Sequence, residues 1–141
     1  MKSMLTVMTA FALFAAAAMA APATKGEAKC PVSGNPGKPD ATAEFEGGKV
    51  SFCCEKCVKA FTADSAKFAA KARQQLAVTG QMVQKGCPLS GGPVKEGTQI
   101  DVGGVSVGFC CGNCKGKVAK AAADEQVTMV FGSGKGFALA Q

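Results

Sequence analysis

Apolar and polar positions alternate with a period of two in two separate stretches of this chain. In Ala43-Glu44-Phe45-Glu46 and Lys49-Val50-Ser51-Phe52 every second side chain is apolar, and Gly47-Gly48 stands between them. That pattern predicts a β-hairpin. It returns as Gln99-Ile100-Asp101-Val102, Gly103-Gly104 and Val105-Ser106-Val107-Gly108-Phe109. After the first hairpin the period changes. Val58, Phe61, Ser65, Phe68, Ala72 and Leu76 recur at steps of three and four, an amphipathic stripe with one polar member. The spacing predicts one helix over 54–77, or two with Asp64 capping the second, ended by Gly80. Phe61 and Phe68 are assigned to the core. Gln81-Met82-Val83-Gln84 reads as a short strand. After the second hairpin the helical signal weakens, because Gly112 and Gly116 each cost about 1 kcal/mol relative to Ala in a helix interior. A helix is expected there through Lys117 to Ala123, stopping near Asp124. Val127-Thr128-Met129-Val130-Phe131 reads as a strand, residues 132–136 as a loop, and Phe137-Ala138-Leu139 as a closing strand or a tail.

Both hairpins run into the same chemistry. Phe52-Cys53-Cys54-Glu55-Lys56-Cys57 is matched by Phe109-Cys110-Cys111-Gly112-Asn113-Cys114. A fourth cysteine precedes each cluster by 22 intervening residues, as Cys30-Pro31-Val32-Ser33-Gly34 and Cys87-Pro88-Leu89-Ser90-Gly91. Residues 30–57 align with 87–114 without insertion, and 12 of 28 positions are identical, including all four cysteines. The chain is therefore an internal duplication with a 57-residue offset. In each opening turn Pro fixes φ after the cysteine and Gly permits a positive φ, which makes a tight loop able to present one sulfur inward.

The first 20 residues belong to a different class. Lys2 gives a positive start, Met4 to Ala18 is apolar apart from Thr6 and Thr9, and Ala18-Met19-Ala20 is a small-residue cleavage signal. This is the pattern of a secretory signal peptide cleaved after Ala20, with no stable membrane anchor left behind. A periplasmic or secreted location follows. Residues 21–29 are small and polar and read as a flexible lead-in. Two modules, 30–85 and 86–141, account for the rest. Each is so small that a hydrophobic core alone is marginal without disulfides or metal. The chain has no Trp or Tyr, and nine Phe in all.

The full chain carries a net charge of +6, with its basic residues spread along the sequence. That distribution suits a solvated surface better than a nucleic-acid interface, so no nucleic-acid partner is expected. A divalent ion held by four thiolates carries a net charge of about −2, so two such sites would bring the protein close to neutral. There is no histidine among the 141 residues. Thiolate-only sites suit Zn(II), Cu(I) or a toxic soft ion and disfavour Mg(II) and Ca(II). On a helix Cys53 and Cys57 would be i,i+4 neighbours, and Cys54 and Cys57 i,i+3 neighbours. One arrangement has Cys30, Cys53 and Cys57 as ligands with Cys54 beside them as a fourth. The start of a helix favours the thiolate form.

The Cys-Pro-Val-Ser-Gly turn, the 22-residue spacing to Phe-Cys-x-x-x-Cys, and Phe61 four residues further on resemble the TRASH/YHS family of small metal-binding modules. The second copy resembles it through Cys87, Cys110 and Cys114, with Val118 in place of the Phe. The resemblance implies a hairpin followed by a helix, heavy-metal binding, and roles in metal sensing, trafficking or resistance. It carries over Cys30, Cys53 and Cys57, then Cys87, Cys110 and Cys114, as ligands. Cys54 and Cys111 depart from the family pattern and stand as fourth ligands or spare thiols. The Tyr-His-Ser signature itself is absent.

Other chemistry competes with metal. Cys54-Glu55-Lys56-Cys57 and Cys111-Gly112-Asn113-Cys114 are CxxC pairs, but a 57-residue period leaves no room for a thioredoxin-like scaffold. Without histidine, and with no acid placed at motif spacing by both copies, no catalytic activity is expected. The alternative to metal is a disulfide-stapled extracellular interaction module, since secreted chains with an even number of cysteines usually bridge them. The expected fold is α+β, two tandem treble-clef or zinc-ribbon-like modules. The expected contents are one Zn(II) or Cu(I) per module, with a metal ion and another metal-handling protein as partners.

Overall fold

The computed structural model describes residues 26–141. The signal peptide expected at 1–20 and the first part of the lead-in, 21–25, lie outside the described residues. The rest of the lead-in is tied down. Gly26 N–H donates to Val78 O at 3.1 Å, Gly37 N–H donates to Ala28 O at 2.7 Å, and Lys29 forms a β-bridge with Pro36.

The first hairpin pairs β1 (Lys38–Phe45) with β2 (Gly48–Phe52). Its turn is Glu46–Gly47, one residue earlier than expected. Both residues have positive φ, 50° and 82°, and Phe45 pairs with Gly48. Gly48 is needed for space rather than for the turn, because a Cβ there would lie 2.7 Å from Leu76 Cδ2. Two helices follow, α1 (Glu55–Ala63) and α2 (Ser65–Val78). Asp64 separates them with non-helical angles (φ −147°, ψ 73°), and its Oδ1 accepts from Lys67 N–H at 3.3 Å. The stripe turns inward as expected, burying Phe61, Ala72 and Leu76 with Val50 and Phe52 of the hairpin. Gly80 (φ 77°) ends α2, and Gln81 N–H returns to Leu76 O at 2.8 Å. β3 (Met82–Gln84) then leads to Cys87.

The second copy repeats this order with β4 (Ile100–Val102) and β5 (Val105–Val107), which turn at Gly103–Gly104 as expected. Its helices differ from the expected ones. α3 (Gly112–Ala119) begins at the cysteine cluster despite Gly112 and Gly116, and a separate α4 (Ala123–Phe131) occupies the stretch expected to be a strand. Two physical signals explain the correction. Val127, Val130 and Phe131 are the buried residues of this stretch, which is i, i+3, i+4 spacing. Asp124 and Glu125 fall in the first turn of α4, where acidic side chains complement the helix dipole. Asp124 thus marks a start and not a stop. The second core gathers Val102, Val107, Phe109, Val118, Val130 and Phe131, all fully buried.

The two copies interlock. β3 pairs antiparallel with β6 (Phe137–Leu139), joining Met82 to Leu139 and Gln84 to Phe137. α2 packs against α4, and Phe137 packs against both cores. Arg73 of α2 binds the Glu46 carboxylate with Nε and Nη2. Its Nη1 donates to Phe131 O at 3.0 Å and Gly132 O at 2.6 Å, placing a cation at the C-terminal end of α4, where the helix dipole favours it. Equivalent elements thus meet across an approximate two-fold relation. Among the described residues no helix is long and apolar enough to cross a membrane.

The assignment of α4 has a direct check. Thr128 is exposed near its middle. Thr128→Pro should cost about 3 kcal/mol or more by removing a helix hydrogen bond, while Thr128→Ala should stay within about 0.5 kcal/mol. Chemical denaturation of both variants distinguishes a helix from an edge strand, in which Pro would be tolerated.

Candidate metal centres

Each centre draws its sulfurs from two segments that the fold brings together. The first segment is the Cys-Pro turn. Cys30 N–H donates to Asn35 O at 2.7 Å and Gly34 N–H donates back to Cys30 O at 2.8 Å. In the second copy, Cys87 N–H donates to Gly92 O at 2.8 Å and Gly91 N–H donates to Cys87 O at 2.7 Å. Gly34 and Gly91 sit at φ 78° and 79°, which gives the glycine of each turn its reason. The turns bury their sulfurs, leaving Cys30 1% and Cys87 0% exposed.

The second segment joins the hairpin to the helix. Cys53 follows directly on β2, Cys54 is the N-cap of α1 with extended angles (φ −164°, ψ 165°), and Cys57 lies in the first turn. Cys110, Cys111 and Cys114 repeat the arrangement at α3. Cys53 and Cys110 therefore precede the helix and are not on it. Their approach to Cys57 and Cys114 comes from the bend at the N-cap, not from i,i+4 spacing.

The sulfurs converge. Cys53 Sγ lies 3.6 Å from Cys57 Sγ and 3.7 Å from Cys54 Sγ, and Cys54 Sγ lies 3.7 Å from Cys57 Sγ. In the second copy Cys110 Sγ is 3.7 Å from Cys111 Sγ and 3.6 Å from Cys114 Sγ. The sulfurs of Cys30, Cys53 and Cys57 lie within 4.8 Å of one another, as do those of Cys87, Cys110 and Cys114. A tetrahedron with metal–sulfur bonds of about 2.3 Å has edges of about 3.8 Å, so the measured spacings fit a thiolate-bound metal. Two three-cysteine groups able to hold an ion are thus present, each with a further cysteine alongside. All eight cysteines are free thiols, and the close sulfur pairs stand well beyond the roughly 2.05 Å of a disulfide bond.

The surroundings treat the sulfurs unequally. Burial opposes ionisation of Cys30, but the Ser33 hydroxyl and the backbone N–H groups of Cys53, Ser33 and Val32 outweigh it and bring its pKa down to about 7. Cys87 falls to about 6 against the same opposition from burial, through the Ser90 hydroxyl and the N–H groups of Ser90, Cys110 and Leu89. Cys54 and Cys111 are lowered first by the backbone N–H groups of Cys57 and Cys114 at the helix starts. Cys57 and Cys114 are pushed up to about 12 by burial and by the neighbouring sulfurs. Once one thiol of a cluster ionises, the next resists, and only a cation among them relieves the repulsion.

Some contributors escaped the sequence reading. Ser33 and Ser90 were legible only as turn residues, yet Ser33 Oγ lies 3.2 Å from Cys53 Sγ and Ser90 Oγ 3.2 Å from Cys110 Sγ. Their identity at matching repeat positions was the available signal. Gln75 and Gln84, which tie the two donor segments together, occupy non-matching positions and gave none. No protein-family model, no curated protein and no solved structure matches the chain.

The pKa pattern predicts the pH dependence of binding. At pH 7 Cys30 is partly and Cys87 largely ionised, while Cys57 and Cys114 retain their protons. Zn(II) binding should then release at least the protons of Cys57 and Cys114, one from each module, and affinity should rise with pH. Calorimetry in buffers of different ionisation heat measures the number released; none released would contradict thiolate coordination. For the metal-free fold the sign is also set. Cys30 and Cys87 have folded pKa values below the ordinary 9.0. Their stabilising contribution is complete above about pH 9 and fades as pH falls through about 7 and 6 respectively.

Proposed function

We propose that the protein is a heavy-metal-binding protein that holds one ion per module through cysteine thiolates and catalyses no reaction. The observation that carries this reading is the convergence of sulfurs from two separate segments to within 4.8 Å of one another, repeated in both copies. Zn(II) is the first assignment, because the 3.6–3.7 Å spacings inside each cluster approach the edges of a tetrahedral site. Cu(I) bound by Cys30, Cys53 and Cys57, and by Cys87, Cys110 and Cys114, is the second, supported by the three-sulfur groups themselves. Cys54 and Cys111 are the fourth donors in the zinc assignment. The resemblance to TRASH/YHS modules supports a role in metal buffering, trafficking or sensing, with another metal-handling protein as partner. The leader features of residues 1–20 support action in the periplasm or after secretion.

The thiol chemistry supports metal over a stapled scaffold in that setting. Sulfurs this close would oxidise readily in a disulfide-forming compartment, and a bound soft ion is what keeps such a cluster intact. The test is native mass spectrometry of the leader-free protein, isolated from the periplasm without reductant or added metal. Two ions with eight intact cysteines are expected. Four disulfides and no metal would replace this reading with the stapled module. Cys57→Ser should remove the ion of the first module alone. Cys54→Ser should remove it as effectively if four thiolates bind, whereas a clearly smaller loss would identify a three-coordinate site.

A further inference from the structure

Two glutamines at unrelated positions in the repeat perform the same task at the two centres. Gln75, on α2, is 3% exposed. Its Oε1 accepts from Ser51 N–H at 2.7 Å, and its Nε2 donates to Ser51 O and to Lys29 O, both at 2.7 Å. Ser51 stands two residues before Cys53, and Lys29 stands immediately before Cys30. One side chain therefore fixes the separation of the two segments that supply the sulfurs of the first centre. No buried side-chain polar atom among the described residues is left without a partner, so the clamp is fully satisfied.

The second centre has the same clamp from a different source. Gln84 Oε1 accepts from Gly108 N–H at 2.9 Å, and its Nε2 donates to Gly108 O at 2.7 Å and Gly86 O at 2.8 Å. Gly108 and Gly86 are the repeat equivalents of Ser51 and Lys29, at the 57-residue offset. The position equivalent to Gln75 is Gly132, which has no side chain to offer. Gln84 instead lies on β3, the last strand of the first copy, which β6 of the second copy holds in register. The first module thus reaches across to organise the second centre, while the first centre is organised from its own helix.

We infer that Gln84 is a positioning residue for the second metal centre, so that this centre depends on the first module in a way that is not reciprocated. The inference rests on the metal-binding reading and deepens it. It implies an order of assembly. Residues 29–85 contain both ends of the Gln75 clamp, whereas Cys87 and Cys110 reach their geometry only once β3 is in place.

The experiment uses the full leader-free chain in two single-site backgrounds, Cys57→Ser to disable the first centre and Cys114→Ser to disable the second. Gln84→Met keeps the length of the side chain and removes all three hydrogen bonds. Zn(II) affinity is read by competition with a chromophoric chelator, and the donor geometry by the ligand-field spectrum of Co(II). Gln84→Met should weaken the second centre by about 10–100-fold, the range for hydrogen bonds that orient metal ligands, and alter its Co(II) spectrum. It should leave the first centre unchanged, which also shows that the variant folds. Gln75→Met should do the reverse. An unchanged second centre in Gln84→Met, or equal weakening of both centres, would overturn the inference while leaving the metal reading intact. Absence of metal uptake by the unsubstituted protein would instead overturn the metal reading, and this inference with it.

Discussion

Three sulfur atoms held 3.6–3.7 Å apart, with a fourth within 4.8 Å of two of them, cannot all carry charge unless a cation lies among them. Most of the structure can be understood from that constraint. A cluster of neutral thiols has no strong reason to converge, since each is only a weak donor and a weak acceptor. The chain must therefore impose the convergence through its backbone. It does so with a glycine-closed turn for one sulfur and a bend at a helix N-cap for the others. The hydroxyls of Ser33 and Ser90 and the surrounding N–H groups then give each centre one sulfur that ionises easily. The fold sets the geometry, and the first thiolate provides the initial attraction for a soft ion.

Small size imposes the second constraint. A module of fewer than sixty residues, without Trp or Tyr, buries little apolar surface. Duplication alleviates this by giving each copy a partner. α2 packs on α4, β3 pairs with β6, and Phe137 contributes to both cores. Arg73 adds a bond between hairpin and helix across the copies, neutralising Glu46 while capping α4. The interlock also has a functional consequence. A metal that ordered the first module would also order β3, from which Gln84 reaches the second centre.

Much of this was legible in the sequence, and what failed did so for definable reasons. The duplication, the cysteine sets, both hairpins and the helical stripe after the first followed from spacing and turn chemistry, which left one helix or two broken at Asp64 as alternatives. The hairpin turn at Glu46–Gly47 was misplaced by one residue, because Gly48 serves close packing against Leu76 and its neighbour serves the turn. Val127 to Phe131 looked like a strand because five apolar or β-branched residues in a row fit either period. Burial at positions 127, 130 and 131 settled it as a helix, a distinction that only tertiary packing makes. The glutamine clamps left no trace in the repeat alignment. Two different positions converged on one backbone arrangement, and an alignment of equivalent positions is blind to that.

The two centres share donors but not surroundings. The first helix opens with Glu55 and Lys56, the second with Gly112 and Asn113. An acidic side chain beside a site that is already anionic opposes its ionisation, and the second copy has none in its first turn, while Lys117 lies in the last turn of α3. Cys54 is exposed while Cys111 is half-buried, so the corresponding sulfurs differ in their access to an incoming ligand. Duplication followed by divergence around fixed donors thus yields two centres of one geometry and unequal electrostatics. The second has no acidic residue in the first turn of its helix, yet it is also the one whose geometry is held from outside its own module. The absence of an acidic neighbour and the dependence on the first module act on it in opposite directions.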